Sequence, residues 1–325
     1  IPIIILNIIS IIYLSNTPYI NKHLIFLSIS YIALIISSKI NFKFILKFIS
    51  LLYLISLILL GLVLLIGKEI NGAKAWLHIL GISIQPSEIM KLSLSIYIPY
   101  LIIQNKSLIF MFIITLIPAI LTFLEPDTGA IIFYIIILLS SLKYTKINKK
   151  VIKLSLILII IFILSNIIIY ITNKDLLINI YGTKIFYRID RLISFKEQNN
   201  IQTTNSLISI GSHNLIYIPE NHNDFIFAAI ISKYFYLFPI ILLSFIYILK
   251  YYLKNIEFKK NISNIINFII LNMLLFQIFY NILMNLSLVP IIGIPLPFIS
   301  YGGSYLVTLY ILIGLSINTN KSKVV

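Results

Sequence analysis

Residues 47–66 read KFISLLYLISLILLGLVLLI. After Lys47 the run carries no charge, and a helix needs about 20 apolar residues to cross the hydrocarbon core of a bilayer. The apolar character is continuous rather than alternating, which excludes a transmembrane β-barrel. The same pattern recurs along a chain of 325 residues that is 60% hydrophobic and 11% charged, with a mean hydropathy of +1.04. A water-facing exterior cannot be made from that composition. The fold class is therefore all-α, a polytopic transmembrane helical bundle.

Working outward from this run, ten spans are expected, over residues 1–15, 23–38, 47–66, 86–103, 107–124, 128–143, 151–172, 225–249, 263–286 and 299–317. Lysines orient them. SSKINFKFILK, QNKS, LKYTKINKKVIK, LKYYLKNIEFKK and NKSK together hold 15 lysines and fall on one face of the threading. The positive-inside rule makes that face cytoplasmic. Of the ten acidic residues only Glu257 lands there. The long hydrophilic stretch at about 173–224 is then extracytoplasmic. Its five basic and five acidic side chains mark it as a functional loop rather than a linker or a polybasic lipid anchor. The chain is expected to be a single integral-membrane domain, 1–325. It opens on Ile1 with a run shorter than a full span, so a few preceding residues are expected, and no cleavable signal peptide is visible.

With no cysteine, thiolate zinc sites, iron–sulfur clusters and disulfides are excluded. The four histidines lack zinc-ligand spacing, so no structural metal is expected. The net charge of +15 is accounted for by the inner loops, and no nucleic-acid module is present. All but two of the 25 basic residues are lysine; the exceptions are Arg188 and Arg191.

Four outer-face segments carry the candidate chemistry: GKEINGAKAWLHILGISIQPSEIMK, EPDTG, YRIDR with PENHNDFIFA, and GIPLPFISYGGS. In QPSEIMK, Pro86 suits the first turn of a helix. Glu88 then lies near the positive helix terminus, with Lys91 three residues on along the same face. The pair reads either as a self-neutralising interfacial ion pair or as a diphosphate contact oriented by its carboxylate. Arg188 and Arg191 keep the guanidinium fork that grips phosphate bidentately, although an amphipathic interfacial helix with Asp190 as internal partner reads equally well. Asp224 stands where it would cap the eighth span. Asp127, with Thr128, would cap the sixth and shape the cleft. The prolines and glycines around Pro297, Ser300, Gly302 and Gly303 break regular helix, which at membrane depth requires cover by protein or water. Gln277, Asn281 and Asn285 recur every four residues as a polar stripe that must face the bundle and bond between helices. Trp76, the sole tryptophan, reads as an interfacial anchor.

In order and topology these segments resemble the SEDS family of bacterial cell-wall polymerases, which contains RodA, FtsW and SpoVE, across nearly the whole chain. The GKEINGAKAW and PENHNDFIFA runs look most like the shape-determining RodA branch. The resemblance implies a ten-helix bundle that polymerises lipid II into glycan strands. It makes Asp224, in the motif that also holds His222, the catalytic acid/base, and puts Glu88 and Lys91 in the active cleft. It also implies a class B penicillin-binding protein as transpeptidase partner. The chemistry is coherent, because forming a glycosidic bond needs one base for the acceptor hydroxyl, while a lipid diphosphate leaves without a strong acid. No cofactor is implied beyond a divalent cation on the diphosphate. The sequence departs from the family where Gly211 and Ser212 lead within a few residues to Pro219 and Glu220, compressing a glycine-rich stretch. Ser232, Lys233 and Tyr234 replace the usual acidic pair. A division polymerase of the FtsW type, a lipid II flippase and a non-catalytic scaffold are the alternatives. The scarcity of midplane charge speaks against a transporter.

Overall fold

The structure, a computed structural model, describes residues 1–70, 73–79, 82–125, 127–145, 164–165, 168–182, 201–257 and 259–322. Helices α1 (Pro2–Leu14), α2 (Ile20–Lys39), α3 (Phe42–Ile66), α4 (Pro86–Ile103), α5 (Leu108–Leu124) and α6 (Thr128–Leu142) are followed by a short α7 (Lys174–Tyr181) and by α8 (Ile201–Ser212). Then come α9 (Ile226–Lys233), α10 (Phe238–Lys254), α11 (Ile262–Asn285) and α12 (Gly303–Ser322). Each expected span before residue 146 and after 262 coincides with one of these helices, whereas most of 151–172 lies outside the described residues. Helices α2, α3 and α11, and the stretch Phe235–Lys254, are long and apolar enough to cross a membrane. Their outer faces leave side chains such as Ile25, Ile36 and Leu54 exposed, which only lipid can solvate. The chain is a multi-pass membrane protein.

The core runs between α4, α11 and α12. Nearly all of α4 is buried, including Glu88 and Lys91, so it forms the axis of the bundle rather than part of its lipid-facing wall. Helix α12 packs along α2, and two glycines permit the close approach: a β-carbon on Gly314 would collide with Ser37 Oγ and the Leu34 carbonyl, and one on Gly303 would meet the Phe26 ring at 2.7 Å.

Two departures from the sequence expectation matter. The expected span 225–249 is broken. Helix α9 ends at Lys233, a 3₁₀ turn follows at Phe235–Leu237, and α10 restarts with Pro239 in its first turn. Proline lacks the amide needed inside a helix but suits its start, so the break falls just before it. Helix α9 is buried almost throughout, and α10 carries the apolar outer face. The second departure is a small antiparallel sheet in the otherwise helical fold. Strands β1 (Lys68–Ile70), β2 (Ala73–Ile79) and β3 (Ile82–Ile84) lie in the order β1-β2-β3. Ala75 and Leu77 point inward while His78 is exposed, the two-residue period of a strand. Lys74 from β2 donates to the carbonyls of Leu64 and Leu65, capping the C-terminal turn of α3.

The two ends of the bundle differ in charge. At one end Asn318 bonds the carbonyls of Ser37 and Ile40, Ser263 bonds Asn320, and Lys260 bonds Asn105. This end gathers lysines 39, 43, 106, 143, 254, 259 and 260. The other end carries Glu88, Glu125, Asp127, Glu220 and Asp224.

Candidate active site

The site is organised around the segment before α9. The Asp224 carbonyl accepts from the side-chain amides of Asn281 (2.9 Å) and Asn285 (3.0 Å). The Asn223 carbonyl accepts from the Ser300 hydroxyl at 2.7 Å, and the His222 carbonyl from the Tyr301 amide at 2.9 Å. Three successive carbonyls are thus held by α11 and by the loop between α11 and α12. That loop is tied in turn. Ser300 accepts from the Leu296 amide, Asn281 donates to the Ile294 carbonyl, and Ser10 donates to the Ile299 carbonyl. Since the Ser10 hydrogen goes to Ile299, His23 Nε2, 2.9 Å away, donates to Ser10 and the ring carries its proton on Nε2.

Among the described residues this clasp does not engage the Asp224 carboxylate. The N-cap of α9 is Phe225, which has no side-chain capping bond. The Ala228 amide in the first turn is instead satisfied by Asn285 Oδ1 at 3.0 Å, from another helix. The capping reading of Asp224 is therefore overturned: a neighbouring asparagine does that work. Asp224 Oδ2 lies 3.5 Å from where a β-carbon on Gly293 would be, and Gly293 has a left-handed φ of +65°. Burial, aided by the nearby Glu220 carboxylate, pushes the Asp224 carboxyl up to about 7. His222 stacks on Tyr19 (3.9 Å between centroids), and its Nε2 lies 3.6 Å from Glu220 Oε2. Burial holds its imidazole below the usual range, against the opposing pull of Glu220.

Glu88 and Lys91 meet directly, with Lys91 Nζ 2.7 Å from Oε1 and 2.5 Å from Oε2. Thr308 donates to Oε2 at 3.0 Å, and the ammonium lies over the rings of Phe133 (4.7 Å) and Tyr305 (5.3 Å). Gln277 is buried on the neighbouring face of α11. A buried pair of this kind holds both charges neutralised, and losing one partner strands the other.

Asp127 caps α6, accepting from the Ala130 amide at 3.1 Å, while its other oxygen accepts from Gln85 (2.8 Å) and Ser87 (2.7 Å). This ties α6 to the start of α4. Two residues earlier, Glu125 is fully buried and neither of its oxygens has a hydrogen-bond partner among the described residues. Burial and the neighbouring Asp127 push its carboxyl up to about 9. Gly129, in the first turn of α6, backs onto the Ile292 carbonyl. The Asp127 corner therefore abuts the loop against which Asp224 rests.

The remaining sequence candidates separate cleanly. Pro297 and Ser300 are buried in the clasp, and Gly302 and Gly303 lead into α12. Trp76 sits half-buried in β2, opposite Lys68 in register. Arg188 and Arg191 lie outside the described residues. Sequence reasoning missed Tyr19, Thr308 and Glu125 as members of this end. It read Asn281 and Asn285 as helix–helix bonds, which Asn285 makes with the Ala228 amide of α9, and missed that both also hold the Asp224 carbonyl. Only the four-residue spacing of the asparagines offered a signal.

The sequence matches, over residues 3–324, the profile of the FtsW/RodA/SpoVE family, described as "Cell cycle protein". Among similar proteins, one from Buchnera aphidicola subsp. Baizongia pistaciae is 34% identical over 80% of this chain and 73% of its own. Another, from Wigglesworthia glossinidia brevipalpis, is 33% identical over 82% and 74%. Both are named "Probable peptidoglycan glycosyltransferase FtsW". A chain from a structure described as "Structural coordination of polymerization and crosslinking by a peptidoglycan synthase complex" aligns with a TM-score of 0.80 at 19% identity, covering 99% of this chain and 96% of that one. The rod shape determining protein RodA of Thermus thermophilus aligns with a TM-score of 0.67 at 18% identity, covering 99% and 95%. The FtsW names of these sequence relatives do not follow the RodA leaning of the motifs.

Proposed function

This chain belongs to the FtsW/RodA/SpoVE family of cell cycle proteins, and from that premise we propose that it is a peptidoglycan glycosyltransferase polymerising lipid II at the extracytoplasmic face of the bacterial cytoplasmic membrane. The observation that carries the reading is Asp224: its backbone is held on three sides, its capping duty is taken by Asn285, and its carboxyl titrates near neutrality. A general base works best with a pKa near the operating pH and a lone pair not already committed. Asp224 takes the proton of the acceptor sugar hydroxyl. The freed oxygen attacks the donor anomeric carbon with inversion, and the bond to phosphate breaks, its electron pair leaving with undecaprenyl diphosphate. Lys91, held by Glu88, and the arginines Arg188 and Arg191 are assigned to the diphosphate, which would bring in any divalent cation.

The end-to-end charge asymmetry supports this orientation, with lysines cytoplasmic and carboxylates outside. The FtsW names of the relatives favour division over cell elongation and rod shape, and the peptidoglycan synthase complex supports a class B penicillin-binding protein as partner. The test is polymerisation of labelled lipid II by the purified protein, with and without its transpeptidase, comparing wild type with Asp224→Ala. Strands from wild type alone support the assignment. No product from wild type with its partner present returns the chain to the scaffold or flippase reading. Complementation of division-arrested against elongation-arrested cells separates the two branches.

A further inference from the structure

The clasp grips the main chain of residues 222–224 from α11 and from the loop before α12. A third element grips the same segment through a side chain. Tyr19, at the turn between α1 and α2, lays its ring against the His222 imidazole, 3.9 Å between centroids and inclined by only 9°. Tyr301 meets the imidazole edge-on at 5.6 Å and the Tyr19 ring at 5.3 Å, and the Tyr301 amide is also the donor to the His222 carbonyl. With Glu220 Oε2 facing Nε2 at 3.6 Å, the imidazole is boxed, and its side chain is 15% exposed. The turn that presents Tyr19 is itself tied down. Thr17 bonds the Leu14 carbonyl through its amide (2.9 Å) and its hydroxyl (2.8 Å), and the Tyr19 carbonyl accepts from the His23 amide at 2.9 Å. The Ser10–His23 bond joins α1 to α2, and Ser10 fastens both to the Ile299 carbonyl. Tyr19 is therefore fixed relative to the loop that holds the Asp224 backbone. It occupies the N-cap position of α2, where small polar residues are preferred, yet makes no side-chain capping bond, so its ring serves the stack and not the helix. Bonds to three carbonyls in a row set the depth of a backbone segment but let it rock about their line. A ring two residues from Asp224, held flat against another, blocks that motion. A general base must stay within hydrogen-bond reach of its hydroxyl, and a displacement of about 1 Å costs on the order of a hundredfold in rate.

We propose that Tyr19 is a positioning residue for Asp224, acting through the stacked His222 ring. This deepens the general-base reading and rests on it. The test uses the purified full chain as wild type, Tyr19→Leu, Tyr19→Phe, His222→Ala and the Tyr19→Leu/His222→Ala double variant, with folding checked by thermal unfolding. Hydrogen–deuterium exchange at the imidazole C2 position, read by mass spectrometry, needs no catalysis. Tyr19→Leu should speed exchange at His222 severalfold and leave His213, packed on Phe235, unchanged, while Tyr19→Phe should restore the wild-type rate. In the lipid II assay, Tyr19→Leu should lower kcat about ten- to a hundredfold with KM unchanged. Tyr19→Phe should recover the rate, and the double variant should be no slower than His222→Ala alone. Unchanged exchange at His222 overturns the proposal whatever the chain catalyses. So do losses that multiply in the double variant, or a higher KM at unchanged kcat, which would make Tyr19 a sugar contact instead. A wild type that makes no strands while His222 exchange still responds removes the general-base reading and, with it, the positioning role, leaving the stack as packing.

Discussion

Asp127 and Asp224 each precede a helix on the same end of the molecule, yet they are used in opposite ways. Asp127 spends both oxygens on structure: one caps α6, and the other holds Gln85 and Ser87. At α9 the capping acceptor comes from Asn285 on another helix, and the Asp224 carboxylate is left to the site. The same residue type in the same local setting is structural in one place and available for chemistry in the other. What decides is whether a neighbour relieves it. Such relief is invisible in local sequence, because the acceptor, Asn285, lies some sixty residues away.

The sharpest way to break this contrast is substitution of the two aspartates. Asp224→Asn is expected to lower polymerisation about 10²- to 10⁴-fold, the usual worth of a general base, without lowering thermal stability. An active Asp224→Asn enzyme would remove the assignment. The pH profile sharpens the same point. With its carboxyl near 7, Asp224 is protonated below that value, so the rate should fall about tenfold per pH unit on the acid side. Glu220→Gln removes one of the causes that raise it, and the midpoint of that limb should move to lower pH.

Asn285→Ala attacks the relief itself. It orphans the Ala228 amide and removes one of the two donors to the Asp224 carbonyl, so a stability loss of about 1–3 kcal/mol is expected together with reduced activity, as α9 competes for the Asp224 carboxylate. Thermal unfolding and the lipid II assay on one preparation measure both. Asp127→Ala should show the reverse balance, with a stability loss of about 1–2 kcal/mol for the lost cap and any fall in rate no larger than the loosened corner causes. The smallest effect is expected at Glu125. Its carboxyl, raised from an ordinary 4.5 to about 9, binds more protons folded than unfolded, so stability declines as pH rises through that interval. Glu125→Gln removes that dependence, seen as a flatter curve of melting temperature against pH.

Much of the bundle was legible because each membrane helix must satisfy its own backbone and show apolar side chains to lipid, a demand that writes itself into continuous runs such as 47–66. The break at Tyr234 was not, since residues on both sides are apolar and only Pro239 marks the restart. The strands at 68–84 escaped because their alternation spans too few residues to compete with the surrounding apolar signal. In the site, Glu88 with Lys91 could be read from helical spacing, and the Asp127 cap from its place before Thr128. The opposite fate of Asp224 could not, because it depends on Asn285.

The contacts of α12 carry a consequence for biogenesis. Ser304 accepts from the Gln85 amide and Thr308 donates to Glu88, while α12 also lies along α2 near the start of the chain. A ribosome delivers α12 last of the described helices. Until it inserts, Glu88 lacks one of its partners, the groove beside α2 is open, and the loop that grips residues 222–224 has only one anchored end. The nascent protein therefore completes its candidate site only once α12 inserts, so a chain cut short before α12 would reside in the membrane with most of its described helices and an incomplete site.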